Sequence, residues 1–111
     1  MKSYTLRKNK EFQYVYRRGK SQPSGGVVLI HVPFRELKIG FCVSKRIGNS
    51  VQRNRAKRLM KEAFRSIIQN VKPARLVFVA KAGILKNNYW QIRSQMIRAL
   101  KKVNLYNEDS E

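Results

Sequence analysis

Residues 45–65, KRIGNSVQRNRAKRLMKEAFR, carry eight Lys or Arg against one acid, Glu62, yet they also hold a regular apolar set. Ala56, Leu59, Met60, Ala63, Phe64, Ile67, Ile68 and Val71 recur in steps of three and four. At about 100° per residue most of them gather on one side of a helix. The spacing predicts a helix over 50–70, with Asn49 or Ser50 as N-cap. Asn54, Lys57, Arg58, Lys61 and Arg65 fall on an adjoining side, within an arc of about 100°. One face is built to pack, so the helix must lie on a sheet or on another helix. The other face is positive throughout. With Glu62 as the sole acid, no series of i,i+4 pairs offsets the repulsion, so an ordinary solvated Lys/Glu face does not account for it.

The kind of charge points to phosphate. Arginine is prominent, and its planar fork matches phosphate oxygens better than an ammonium does. Arg53 and Arg55 lie in the first two turns, where backbone N–H groups and the helix dipole already favour an anion. Lys45 and Arg46 stand just before, at a strand end. The whole chain agrees. Its 111 residues make one domain with a modest core, and its formal charge is +19. Three of the six acids sit in the last four positions, so without those three negative charges residues 1–107 carry +22. Such a charge opposes compaction unless a polyanion binds, and nucleic acid is the commonest polyanion. An anionic membrane surface is the competing partner.

No apolar run approaches the roughly 20 residues needed to cross a bilayer. The N-terminal MKSYTLRKNKEF lacks a signal-peptide apolar core. A single cysteine, Cys42, rules out an internal disulfide framework and suits a reducing compartment. A cytoplasmic location is expected.

The remaining elements follow from local pattern. LRKNKEFQYVYRRG reads as a short helix ending at Gly19, with Phe12, Val15 and Tyr16 on one face. SQPSGG is a break. VVLIHVPF and LKIGFCVSK are β-rich runs, and the short ELK between them predicts a hairpin. ARLVFVAKAG is a further strand. NNYWQIRSQMIRALKKVN is a last helix, with Trp90, Ile92, Met96, Ile97 and Leu100 as its packing set. Residues 106–111 are expected to form a disordered acidic tail, leaving 1–105 as a single RNA-binding domain. The expected fold is α+β, a two-layer α/β sandwich in the order α-β-β-(β)-α-β-α. The bracketed strand is a short one near 19–22, and the helices lie mostly on one face of one sheet.

KRIGNSVQRNRAKRLMKEAFR resembles the signature of the bacterial ribonuclease P protein subunit. In that family a lysine-rich strand end leads into Gly-Asn-(Ala/Ser)-Val, then Arg-Asn-Arg, Lys-Arg and Glu/Gln-Ala-Phe. The resemblance extends over about residues 5–103, through the aromatic first helix EFQYVYRRGK and the strand LVFVAKAG. It implies a left-handed β-α-β crossover, which the general right-handed rule would not have suggested. It also implies partners and a role: a large catalytic RNA, precursor tRNA, and removal of the 5′ leader. No membrane and no DNA are implied. Mg2+ would serve the RNA–protein holoenzyme rather than protein side chains alone.

By the same resemblance, Arg53, Asn54 and Arg55 match the Arg-Asn-Arg core that contacts the catalytic RNA, with Lys45, Lys57, Arg58 and Lys61 around it; Arg46, Asn49 and Arg65 on the same basic segment are further RNA-binding candidates. Phe12 and Tyr16 match the aromatic positions lining a leader cleft, to which Arg17, Arg18, Lys20 and Ile30 are assigned. Unstacked bases favour aromatic faces, and the same segment carries cations for phosphates. The competing reading makes Phe12 and Tyr16 simple core. Some family members place an aromatic in the first cleft strand, where this chain has Ile30 or His31.

Protein-based catalysis finds little support. His31 is the only histidine, so no second one exists to form a metal site or a triad, and it reads as a cleft or surface residue; Cys42 alternates within IGFCVS and reads as buried packing rather than a catalytic thiol, which would want a histidine partner. Glu11, Glu36 and Glu62 are the carboxylates outside the tail, and they belong to three different elements, whereas a metal-dependent nuclease needs several together. A structural RNA-binding protein of the ribosomal kind and an autonomous nuclease remain the alternatives; the Arg-Asn-Arg signature speaks against the first and the scarcity of carboxylates against the second.

Overall fold

Asn49 starts the central helix. Its side chain accepts from the Gln52 backbone N–H at 2.9 Å, and the Gln52 side chain accepts from the Asn49 N–H at 2.9 Å. This capping box satisfies two of the donors a helix start leaves orphaned. The computed structural model describes residues 4–6 and 8–108. In it the helix, α2, spans Ser50–Ile67 and tightens into a 3-10 turn at Ile68–Asn70. Ala56, Met60, Ala63, Phe64 and Ile67 are buried, as the periodicity requires, with Leu59 and Ile68 packed at the margin.

The other elements are α1 (Asn9–Arg18), β1 (Lys20–Ser24), β2 (Val27–Val32), β3 (Lys38–Cys42), β4 (Arg75–Ala80) and α3 (Tyr89–Lys102). The four strands form one sheet in the order β1-β2-β4-β3. β2 pairs antiparallel with β1 and β4, and β3 pairs parallel with β4, so β3–α2–β4 is a β-α-β crossover. The fold is α+β, as expected, but two strand assignments change. The hairpin joins β1 to β2 through Gly25, whose φ of 58° suits glycine, while β2 and β3 are separated by β4. β4 takes the centre because Leu76, Val77 and Phe78 are apolar on both faces and fully buried. β1 (KSQPS) has little strand propensity, and its Pro23 is tolerated because the strand is an edge.

Strand alternation sorts the sheet into two faces. Val27, Leu29, Ile39, Leu76 and Phe78 face α2 and α3 and form the main core. At its centre the rings of Phe41, Phe64 and Phe78 lie 5.9–6.5 Å apart, suiting aromatic pairs. The opposite face carries Val32 and Val77, covered by Leu6 and Val15. Among the described residues, α1 is the helix on that side, with the segment around Leu6 beside it.

α3 repeats the capping device with Asn88 and Gln91, at 2.9 Å each way. It buries Ile92, Met96, Ala99 and Leu100. Trp90, expected in that set, is 68% exposed. Two residues before Ile92 means a rotation of about 160° around the helix, away from the core. The expected loose tail also needs correction over 106–108. Asn104 turns the chain with φ 62°, Tyr106 bridges to Val71, and the Asn107 N–H donates to the Asn70 carbonyl at 2.6 Å. Glu108 meets Lys101 at 3.1 Å. Backbone pairing with the loop after α2 holds a segment whose composition looks unstructured. Residues 109–111 lie outside the described residues. No helix among the described residues is long and apolar enough to cross a membrane.

Candidate nucleic-acid interface

Two surfaces collect the residues singled out by the sequence. The first, on the α1 face of the sheet, is a strip of partly exposed rings over an apolar floor, here the trough. Val15 anchors α1 by complete burial. One turn earlier, Phe12 lies over Gly40 of β3, so closely that a Cβ at position 40 would stand 2.5 Å from its ring. Phe12 is thus half-buried, with its remaining surface open. Tyr16 follows one turn later, 42% exposed, its hydroxyl beside the Cys42 thiol. Partial burial raises the Tyr16 phenol well above its ordinary value, and Cys42 raises it further, so Tyr16 remains a neutral ring with a hydroxyl donor at any physiological pH. Ile30, Cys42 and Val79 form the half-buried apolar floor. Phe12, Tyr16 and Ile30 therefore come together, and Arg17 and Arg18 project at the end of the same helix.

Lys20 does not join them. The strand register places it opposite His31, on the sheet face remote from α1. His31 shares that face with Leu29, so Ile30 alone of the two occupies the trough. Burial lowers the His31 imidazole below its ordinary value, and the Lys20 charge lowers it further. The unfolded chain then takes up this proton first as pH falls. Stability from a neutral His31 is present above pH about 6.5 and is lost as pH drops through the folded-state value. His31→Gln is expected to flatten the dependence of unfolding midpoint on pH between about 7 and 5; an unchanged slope in denaturant titrations would assign it to other groups.

The Arg75 guanidinium of β4 stacks 4.0 Å from the Phe34 ring centre and 5.4 Å from that of Tyr14. These residues come from α1, the β2–β3 loop and β4, and no spacing in the chain links them. The stack sits on the α1 face and adds an aromatic-flanked cation beyond the trough.

The second surface is the basic side of α2. Lys45 and Arg46 occupy the 3-10 turn Lys45–Ile47 and are exposed. Asn49 is spent on the cap. Arg53 is half-buried and donates from Nη1 to the Gly48 carbonyl at 3.1 Å, which ties it to the loop before α2. Asn54, Arg55, Lys57, Arg58, Lys61 and Arg65 are exposed, and none of their cations meets a carboxylate among the described residues. No group of three His, Cys, Asp or Glu that could hold a metal ion occurs among the described residues.

A small, strongly basic α+β domain with exposed aromatic rings on one face and a basic helix beside its sheet has the charge and the stacking surface of a nucleic-acid-binding domain. Residues 1–104 match the family model Ribonuclease P. A ribonuclease P protein component of Clostridium botulinum (strain Langeland) is 44% identical over 111 residues, covering 96% of this chain and 100% of that protein. One from Nitratiruptor sp. is 39% identical, covering 89% and 91%. Among solved structures, the Staphylococcus aureus RNase P protein superposes with a TM-score of 0.84 at 27% identity, over 96% of this chain and all of that one. The chain belongs to the ribonuclease P protein family.

Proposed function

We propose that this chain binds the catalytic RNA of ribonuclease P through the basic face of α2 and holds the 5′ leader of precursor tRNA in the α1 trough, so that the RNA removes the leader. The observation that carries the reading is the pairing of two unlike surfaces: unpaired Arg and Lys on α2, and half-exposed Phe12 and Tyr16 over an apolar floor. The first suits the phosphates of a structured RNA, the second suits the unstacked bases of a single strand. Mg2+ supplies the hydrolytic chemistry when bound in the holoenzyme, and the RNA is its holder in this reading. The protein residues neutralise phosphate repulsion and place the leader. The cytoplasm is the matching location.

Reconstitution tests it. The protein with transcribed catalytic RNA and precursor tRNA is expected to cleave at lower Mg2+ than the RNA alone, and the protein freed of RNA is expected not to cleave. Cleavage by the RNA-free protein, or no change in Mg2+ requirement, would overturn the proposal.

A further inference from the structure

Trp90 stands on the outer face of α3, 68% exposed, with the Tyr89 ring 4.9 Å away in an edge-on contact. A large side chain of this kind is normally found buried. The side chains that share its depression are polar. Asn88, Gln91, Ser94 and Arg98 line with it an open depression of about 410 Å3, in the size range of small-ligand pockets and ample for a nucleobase. Ser94 and Arg98 are shared with a second depression that continues along the helix to Lys102. Together they make one groove, aromatic at its head and cationic along its length.

The floor of the groove is fixed in advance. Gln95 accepts from the Gly26 N–H at 2.9 Å and donates to Asn87 Oδ1 at 3.2 Å, tying the β1–β2 turn to α3. Helix α3 contains no acid. Lys101 is paired with Glu108, but Arg98 and Lys102 are exposed and meet no carboxylate among the described residues. A protein partner would want apolar surface around Trp90, and a second copy of a chain of charge +19 would be repelled. A flat aromatic beside unpaired cations instead suits an unpaired base and its flanking phosphates. The groove lies on the sheet face opposite α1, so a short strand seated in the trough does not reach it.

We propose that the outer face of α3 is a second RNA-binding surface, on which an unpaired base of the large RNA partner stacks on Trp90 while Arg98 and Lys102 hold its phosphates. It rests on the reading that this chain works bound to a large RNA. Trp90 is the only tryptophan, so its emission reports the site directly. Titrating the full chain with transcribed ribonuclease P RNA is expected to quench that emission to saturation. Trp90→Ala is expected to weaken RNA affinity at least about fivefold, from the lower end of base–aromatic stacking. Trp90→Phe should recover most of the loss, and Arg98→Ala should weaken binding with the melting temperature unchanged. Emission of the unaltered chain that does not respond to saturating RNA, or unchanged affinity in Trp90→Ala and Arg98→Ala alongside weakened binding by Arg53→Ala and Arg55→Ala, would remove the α3 site and leave the α2 surface standing. Normal binding by Trp90→Ala, Arg98→Ala, Arg53→Ala and Arg55→Ala alike would remove both. Emission that responds to protein concentration without RNA would mark the face as a protein contact and overturn the proposal.

Discussion

Affinity for the catalytic RNA is expected to fall by about three to five orders of magnitude between roughly 50 and 200 mM monovalent salt, the range for six to ten phosphate contacts. Lys45, Arg46, Arg53, Arg55, Lys57, Arg58, Lys61 and Arg65 supply that many cations on one helix and its approach. Their carboxylate-free surroundings matter. A cation already paired within the protein would exchange one partner for another and release few counterions, whereas these exchange solvent for phosphate. Each contact removed should lower the steepness of log affinity against log salt by about one. Arg53→Ala with Arg55→Ala should therefore weaken binding and flatten the line by about two. Arg55 is exposed, so its loss should leave unfolding unchanged. Arg53 also holds the Gly48 carbonyl, so its loss should loosen the entry to α2 as well. Filter binding across a salt series measures affinity and slope, and thermal unfolding of each variant measures the rest. A nearly flat line for the unaltered protein would refute the electrostatic account of α2.

That account was legible in the chain because every part of it is local. The capping box is a matter of residues three apart, and the core face of α2 follows from a fixed angle per residue. What local pattern cannot supply is the choice of neighbour. VVLIHV and LKIGFC are equally strand-like, and only the need to bury both faces of LVF places β4 between them. The same limit hid the fate of Lys20. Its nearness to Arg17 and Arg18 in sequence suggested one cationic cluster, but crossing from α1 into an alternating strand turns it to the other face. Trp90 misled for a related reason: hydrophobicity suggested burial, while its angle from Ile92 already pointed outward. The Arg75 stack, drawn from three distant elements, left no signal at all.

Phe12→Ala and Tyr16→Ala are expected to separate two roles that the trough combines. Phe12 lies against Gly40 and packs on the cluster of Leu6, Val15, Val32 and Val77. Truncating a fully buried Phe costs about 3–5 kcal/mol. Phe12 is half-buried, so about half of that cost is expected, enough to lower the melting temperature by more than about 5 °C. Gly40→Val should reach the same end from the other side, because its Cβ would occupy the space of the Phe12 ring. Tyr16 is different. It is 42% exposed and outside the buried core, so Tyr16→Ala should leave melting almost unchanged. If its ring stacks on a leader base, its loss should cost about 1–3 kcal/mol of holoenzyme affinity. The deficit should appear only for precursors with a leader of several nucleotides, since mature tRNA places no strand in the trough. Phe12→Ala should show the leader-dependent deficit together with the melting drop. Thermal unfolding and affinity against leader length, measured on the same variants, distinguish the cases. A Tyr16→Ala protein that binds every leader length normally would remove the trough from the substrate path, and a melting drop in Phe12→Ala without leader dependence would leave that ring a purely structural part of the α1 face.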